Sequence, residues 1–243
     1  ALEFESGGKT RWIETPLLLL HQGVVPNANL AMATGITHNW DPVQLCWRPE
    51  TGHWGGTNRE GIAVAGDGAG IGGAVAAEHG GRLAALEIAR RLGRITAEER
   101  DERATVERAA LRRHLRARPF LDSLYRPPDA LRRPADDTTL ACRCEEVTAG
   151  EIRRQAELGL TDLNALKSQS RCGMGPCQGR LCALTAVELL AETHRVDPAD
   201  IGPLRIRPPA RPVDLTAIMA FDDGTIPPEA ALPKETAAPG AKA

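Results

Sequence analysis

Short apolar runs lie near the start of the chain, and stretches with helical character follow them. The runs from Thr15 to His21 and from Gly61 to Ala65 are bounded by turn residues, which is typical of buried strands. The stretch from Gly73 to Leu92 predicts a helix, and Gly93 suits the position just beyond its C-terminus. Strands that alternate with a helix predict an α/β fold for residues 1–95.

A charged, arginine-rich segment is predicted next, and it ends in a proline-marked linker at residues 96–137. Thr96, followed three residues later by Glu99, is typical of a helix N-terminus. The helix carries a basic face that we expect to be solvated, with docking of a partner as the alternative. This face consists of Arg108, Arg112, Arg113 and Arg116.

A compact helical unit is predicted for residues 138–197. Thr148 and Glu151 fit a capping box, and Gly159 suits the end of the same helix. A second short helix is predicted from Thr161 to Gln169, and Pro176 suits the first turn of a third helix. The third helix carries Leu181, Leu184, Val187 and Leu190 on one side. Residues 198–243 read as a proline-rich tail whose end is predicted to be disordered.

Four cysteines in two close pairs give the strongest chemical signal. Cys142 and Cys144 form a Cys-x-Cys pair, Cys177 and Cys182 form a Cys-x4-Cys pair, and 32 residues separate the two pairs. Two loops can therefore present four thiolates together, which is the ligand set of a [2Fe–2S] cluster. Glycines let backbone amides approach the sulfurs, and a helix start at the second pair favours an anionic cluster. The glycines are Gly173, Gly175 and Gly179.

Other occupants of the cysteine site stay open at this stage. Zinc also takes four cysteines, although this spacing is less typical of zinc, and a redox disulfide or an unfilled site is a further alternative. Cys172 could replace Cys177 as the third ligand. Cys46 lies far away in the sequence between Leu45 and Trp47, and we expect a buried, inert thiol there.

A glycine-rich turn from Gly68 to Gly73 contains a Gly-x-Gly-x-x-Gly match. A dinucleotide-binding unit would need a second strand that ends in an acidic residue, and the sequence after the helix lacks that strand. The stretch from Ile62 to Asp67 offers a different interpretation, a strand that ends in Gly-Asp.

Residues 140–185 resemble the bacterioferritin-associated-ferredoxin-like [2Fe–2S] domain. The runs Cys-Arg-Cys-Glu-Glu-Val from Cys142 and Gly-Met-Gly-Pro-Cys-Gln-Gly-Arg-Leu-Cys from Gly173 resemble the variant in bacterial flavoprotein dehydrogenases. These enzymes include opine oxidases, proline and hydroxyproline dehydrogenases, sarcosine oxidases and hydrogen cyanide synthase. In the family pattern the cluster ligands match Cys142, Cys144, Cys177 and Cys182, and Cys172 stands where another residue is usual.

Most of residues 12–215 resembles the C-terminal part of the FAD-binding α subunit in the same enzymes. Leu17 to Asn27 resembles the strand and loop that precede the Gly-Asp motif of that subunit. The resemblance implies an α/β fold, a partial two-dinucleotide-domain flavoprotein, plus a small all-α [2Fe–2S] domain. It gives Gly66 and Asp67 the contact with the ribityl chain of FAD, and the backbone amides near Gly73, Ala74 and Val75 the contact with the flavin edge.

Two parts of the family pattern are missing from the sequence, the amino-terminal FAD motif and the second nucleotide domain. We therefore expect this chain to be one piece of a longer or split polypeptide. FAD would be shared with a chain or segment that carries the N-terminal half. The resemblance also implies an electron acceptor of unknown identity and a separate amine-oxidising FAD subunit.

Composition excludes several other classes of function. The net charge of −2 gives no basic bias towards nucleic acid, and no run of eighteen apolar residues predicts a transmembrane helix. No secretory signal is visible, so we expect a cytoplasmic protein, with a peripheral position at the inner membrane as the alternative. The histidines show no metal spacing and are expected to be structural, which leaves catalytic residues unassigned: His21, His38, His53, His79, His114 and His194.

The sequence as a whole predicts an electron-transfer piece of a heteromeric flavin-dependent amine or amino-acid dehydrogenase. Electrons would pass between FAD and a [2Fe–2S] cluster, while substrate oxidation would occur on another subunit. Two alternatives remain: a zinc-stabilised helical interaction module, or part of an NAD(P)H-dependent reductase.

Overall fold

The computed structural model describes residues 1–19, 23–210 and 212–219. Within these ranges the strands form three antiparallel pairs, and the rest is mainly helical. The strands are β1 (Leu2–Ser6), β2 (Lys9–Ile13), β3 (His38–Asp41), β4 (Cys46–Pro49), β5 (Leu140–Cys142) and β6 (Val147–Thr148). The helices are α1 (Asn29–Ala33), α2 (Ala74–Arg91), α3 (Ala97–Leu115), α4 (Arg118–Leu124), α5 (Asp129–Arg132), α6 (Ala149–Glu157), α7 (Leu163–Ser170), α8 (Ala183–His194), α9 (Pro198–Ile201) and α10 (Leu215–Met219).

The two strands predicted in the N-terminal part are wrong in the described residues. Residues 15–19 are not a strand, and Leu17 and Leu19 are 66% and 82% exposed. Around Ala63 a single isolated bridge to Gly56 replaces the second strand. A strand needs a hydrogen-bonding neighbour, and none of the described residues pairs with either run beyond that bridge. Residues 20–22, including His21, lie outside the described residues, and so does the end of the predicted tail, residues 220–243.

Helices α2 and α3 confirm the two helices predicted here, and they pack against each other as a hairpin. Helix α2 begins after Gly73, and Gly93 beyond its C-terminus has a φ of +65°. Thr96 and Glu99 form a reciprocal capping box at the start of α3. Leu83 on α2 and Ala104 on α3 are buried where these two helices pack together.

A carboxylate with three arginine partners joins the two helices. Glu87 on α2 is only 6% exposed, and it accepts hydrogen bonds from Arg90, Arg91 and Arg100. The bond from Arg90 contributes most to holding the pKa of Glu87 well below its ordinary value, against the opposing effect of burial. Because Arg100 lies on α3, its 2.6 Å contact with Glu87 connects the hairpin electrostatically.

The cysteine unit has the largest apolar core in the described chain. Helix α6 starts at the predicted Thr148–Glu151 capping box, and Gly159 follows its end with a φ of +98°. The unit is not all-α as predicted, since β5 and β6 form a short antiparallel pair beside the helices. The core also takes in residues from the predicted tail, and its members include Ile152, Leu166, Val187, Leu189, Leu190, Ile201, Leu204 and Ile206.

The third helix of this unit starts later than predicted. Helix α8 begins at Ala183 with Cys182 as its N-cap, whereas Pro176 lies in the preceding turns. Leu181 is 69% exposed and outside the helix, whereas Val187 and Leu190 are fully buried. The chain before α8 forms turns instead, in which the Gln178 N–H donates to the Gly175 carbonyl and the Arg180 N–H to the Cys177 carbonyl.

Candidate metal centre and Gly-Asp turn

Five cysteines converge on one place in the fold. The Sγ atoms of Cys142, Cys172 and Cys182 all lie within 4.8 Å of one another, and these side chains are buried. Cys144 and Cys177 share a hydrogen bond between their side chains. Cys142 interacts electrostatically with Cys144, and Cys177 with Cys182, so Cys144 and Cys177 lie near the three buried thiols but outside the group whose Sγ atoms are within 4.8 Å of one another.

The local chain conformation explains how each of the first three cysteines reaches the cluster. Cys142 ends strand β5, and Cys144 lies in the turn that leads to β6. Cys172 follows helix α7 after Arg171, whose φ is +63°, and its N–H donates to Ser170 Oγ at 3.3 Å.

The glycines around the second pair allow close approach of the chain. A Cβ atom on Gly175 would collide with the Cys144 side chain. Gly173 has a φ of +85°, and a Cβ atom there would lie 2.9 Å from the Leu204 side chain. These positions therefore favour glycine because of space in the first case, and because of both space and backbone conformation in the second.

Backbone amides surround the sulfur of Cys177. Burial alone would raise the pKa of Cys177, but the backbone N–H groups of Leu181, Gly179 and Arg180 and the Cys144 thiol outweigh it, so that the pKa lies below its ordinary value. The Arg180 N–H also donates to the Cys177 carbonyl oxygen at 3.1 Å. Nearby N–H groups favour the negative charge of a thiolate at this position.

The buried side of the cluster has the opposite protonation preference. A hydrogen bond with Cys172, followed by burial, raises the pKa of Cys182 far above that of an ordinary thiol. Metal binding at this position must therefore release a proton, as it does at thiolate ligands in general. Thiolates without histidine or carboxylate partners suit an iron–sulfur cluster or zinc, so the residues fit both groups.

Cys46 does not join the cluster. It is 2% exposed in strand β4, and burial, with Asp41 as a further cause, raises its pKa to about 12. The prediction of a buried thiol is therefore confirmed, and the high pKa makes this thiol a poor nucleophile.

The histidines contact protein groups in the manner expected of structural residues. His38 and His194 each contact a backbone carbonyl oxygen at 2.7 Å, from Ile36 and Leu160 respectively. His79 contacts Glu107 at 2.5 Å and stacks on His114. In the part of the chain that the structure describes, the side-chain group close enough to hold a metal contains cysteines and no histidine.

The Gly-Asp turn forms a tight hydrogen-bonded loop before helix α2. Gly66 opens a one-turn 3-10 helix that ends at Ala69, and Asp67 Oδ1 accepts the N–H groups of Gly72 and Gly73 at 2.9 and 3.0 Å. Among the described residues, the hydrogen bonds that the Asp67 side chain accepts are made to Oδ1. Asp67 therefore orders the turn that precedes the N-terminus of α2.

A cavity of about 580 Å³ lies beside this turn. Gly66 and Asp67 line this cavity. Gly73, Ala74 and Val75 do not line it and lie further along the chain, at the start of α2. No side chain caps the N-terminus of α2, so its first N–H groups keep hydrogen-bonding capacity.

Two residues that sequence reasoning missed hold the turn in place. The Gln44 side chain donates to the Ile71 carbonyl at 2.9 Å and accepts the Ile71 N–H at 3.0 Å. Arg48 donates to the Ala69 carbonyl at 3.0 Å and forms an ion pair with Asp41. Both partners are more than 20 residues away in sequence, so no local motif marks these contacts.

Known proteins are similar to most of this chain. Residues 139–222 match the family model of the sarcosine oxidase A3 domain. The A subunit of opine oxidase from Rhizobium meliloti is 43% identical over 217 residues, which cover 89% of this chain and 41% of the relative. The chain is a relative of this opine oxidase component. The predicted resemblance to subunits of bacterial amine and amino-acid oxidoreductases is thereby confirmed.

Two further comparisons agree with this relationship. The HcnB subunit of hydrogen cyanide synthase from Pseudomonas aeruginosa is 34% identical over 208 residues, 85% of this chain and 44% of the relative. The crystal structure of L-proline dehydrogenase from P. horikoshii matches 79% of this chain and 37% of that chain with a TM-score of 0.63 at 20% identity. The structural match shows a common fold of helices and small sheets. The chain spans less than half the length of the opine oxidase and HcnB relatives.

The described helices include none that is long and apolar enough to cross a membrane.

Proposed function

We propose that this chain is the electron-transfer part of a heteromeric flavin-dependent amine or amino-acid dehydrogenase. The observation that carries the proposal is the buried group of Cys142, Cys172 and Cys182, whose Sγ atoms lie within 4.8 Å of one another, together with the electrostatic interaction of Cys144 with Cys142 and of Cys177 with Cys182. The relationship to the opine oxidase A subunit supports an oxidoreductase as the setting. A [2Fe–2S] cluster supplies one-electron chemistry when it is bound.

Cys142, Cys144, Cys177 and Cys182 are the proposed ligands. Cys144 and Cys177 are the more exposed members, and Cys142 and Cys182 are the buried ones. Cys172 is the alternative ligand, because its Sγ lies beside those of Cys142 and Cys182.

The Gly-Asp turn is the proposed flavin side of the same chain. Asp67, together with Gly66, would meet the ribityl chain, and the backbone near Gly73, Ala74 and Val75 would face the flavin edge, with the Gly73 N–H already donated to Asp67 Oδ1 and no side chain capping the start of α2. The cavity beside Asp67 gives such a ligand room. The rest of the FAD site would come from a chain or segment with the N-terminal half, and substrate oxidation from a separate FAD subunit. The electron acceptor and the cytoplasmic location stay predictions.

Metal analysis of the anaerobically purified protein tests this proposal. We expect equal amounts of iron and acid-labile sulfide, and visible absorbance that dithionite bleaches. Zinc without sulfide, in a colourless protein, would overturn the redox proposal and leave a zinc-stabilised module.

A further inference from the structure

We propose that the cavity between Trp54 and helix α3 is a binding site for a phosphate group. The cavity measures about 430 Å³ and is lined by His53, Trp54, Leu83, Arg108, Leu111 and Arg112. Three of these side chains carry nitrogen atoms that can donate hydrogen bonds to an anion, in addition to the indole of Trp54. None of the six is acidic.

Arg108 is held in position by the indole ring of Trp54. Its guanidinium carbon lies 4.2 Å from the ring centroid, and the guanidinium carbon of Arg100 lies 4.3 Å from it. Stacking on an aromatic face restricts a guanidinium group without using its N–H donors. Arg108 therefore presents its fork with little loss of conformational freedom on binding.

The charges of these two stacked arginines are balanced differently. Arg100 forms ion pairs with Glu87 at 2.6 Å and with Asp101 at 2.8 Å. Arg108 and Arg112 have no carboxylate within ion-pair distance in the described ranges. The uncompensated positive charge is thus located at the cavity and not on the far side of the indole.

The surrounding sequence increases this positive charge. Residues 108–121 contain five arginines and no aspartate or glutamate. One of the five, Arg118, is compensated by Asp122. The others, including Arg113 and Arg116, would attract an anion to this face of α3.

Phosphate fits this arrangement better than a monovalent anion does. Arginine forks pair with two oxygens of one phosphate, and a dianion would compensate both Arg108 and Arg112. The volume exceeds the needs of a lone phosphate, and Leu83 and Leu111 add an apolar wall. Four residues, namely His53, Trp54, Leu83 and Leu111, also line the cavity at the Gly-Asp turn, so a phosphate ester could extend towards it. The site does not depend on the metal centre.

Calorimetric titration of the full chain with inorganic phosphate, and separately with phenyl phosphate, tests this inference at constant ionic strength. We expect saturable binding that Arg112→Gln weakens about tenfold or more, because charge-assisted hydrogen bonds are lost. Arg113→Gln is the matched control, since Arg112 and Arg113 are both exposed but only Arg112 lines the cavity. Its affinity should stay within about twofold of wild type, because the Arg113 side chain is outside the cavity lining.

Arg108→Lys separates geometry from charge at the same site. The lysine keeps the positive charge but loses the fork, so we expect weaker phosphate binding with unchanged iron content. Tighter binding of phenyl phosphate than of inorganic phosphate would identify an ester as the ligand, and equal affinity would identify the free anion. Equal weakening by Arg112→Gln and Arg113→Gln, or heat effects that chloride reproduces, would overturn the site.

Discussion

The cysteine unit and the Gly-Asp region are stabilised in different ways. The cysteine unit surrounds its thiols with fully buried side chains such as Ile152, Leu189 and Leu190. The Gly-Asp region is instead stabilised by a hydrogen-bonded turn and by the Glu87 ion pairs. It borders an open cavity of about 580 Å³. The proposed metal centre would therefore take all of its ligands from this chain. The proposed flavin site has one wall here and would need further residues to enclose a ligand.

Loss of one proposed ligand gives the largest expected effect. Cys144→Ser or Cys177→Ser should abolish iron binding, because a serine oxygen is a poor substitute for a thiolate in a soft ligand set. Iron and sulfide per chain are the measurement.

Cys172→Ser is the matched control for this pair of variants, since it removes a thiol from the same cluster. Iron should be retained in it. If iron were lost in Cys172→Ser and kept in Cys177→Ser, Cys172 would replace Cys177 as a ligand.

Leu190→Ala tests the buried core around the thiols. Leu190 is fully buried, so its truncation should lower the free energy of unfolding by about 2–5 kcal/mol through lost burial and a cavity. Denaturant unfolding measures the change. Leu158→Ala in the same unit should change stability by less than about 0.5 kcal/mol, because Leu158 is 71% exposed. Similar losses in both variants would contradict the account of a closed core.

Glu87→Gln tests the ion pairs that join α2 to α3. Removal of the carboxylate should lower the free energy of unfolding by roughly 1–3 kcal/mol at neutral pH. The pKa of Glu87 is lowered in the folded state, so its contribution is complete above the ordinary value of 4.5 and is lost as the pH falls further. The difference between wild type and Glu87→Gln should therefore shrink below that pH.

Glu78→Gln is a suitable comparison for Glu87→Gln on the same helix. Glu78 forms an exposed ion pair with Arg82, which contributes little to stability. A pH-independent loss of equal size in both variants would show that the Glu87 pairs do not hold the hairpin.

Asp67→Ala gives the smallest expected effect and concerns the open site. Flavin affinity of the assembled complex should fall about tenfold, through loss of one hydrogen bond and of the order that Oδ1 gives the turn. Flavin stoichiometry after dialysis is the measurement, and Asp136→Ala, a distant exposed residue, is the control. Unchanged flavin retention in Asp67→Ala would remove Asp67 from the proposed site.

Features that depend on neighbouring residues could be predicted from the sequence, and features that depend on distant contacts could not. The capping boxes at Thr96 and Thr148 depend on residues close in sequence, and the structure has them. The structure also brings Cys142 and Cys182 together, one from each cysteine pair, but with Cys172 as their third neighbour. Helix α8 starts at Ala183, after turns that Pro176 alone does not reveal. The strand predicted up to Ala65 failed because it has no neighbouring strand among the described residues.

Long-range contacts at the Gly-Asp turn were also beyond sequence reasoning. Gln44 and Arg48 reach the turn from the β3–β4 hairpin, and neither belongs to a motif. Their positions follow from packing, which a single sequence does not report.

Low-temperature EPR of the anaerobic, dithionite-reduced protein distinguishes an electron-carrying cluster from a zinc site. We expect a rhombic signal from one unpaired electron per cluster, present in wild type and Cys172→Ser and absent in Cys144→Ser. A protein that takes up no electron and contains zinc at the cysteines would instead be a zinc-stabilised module.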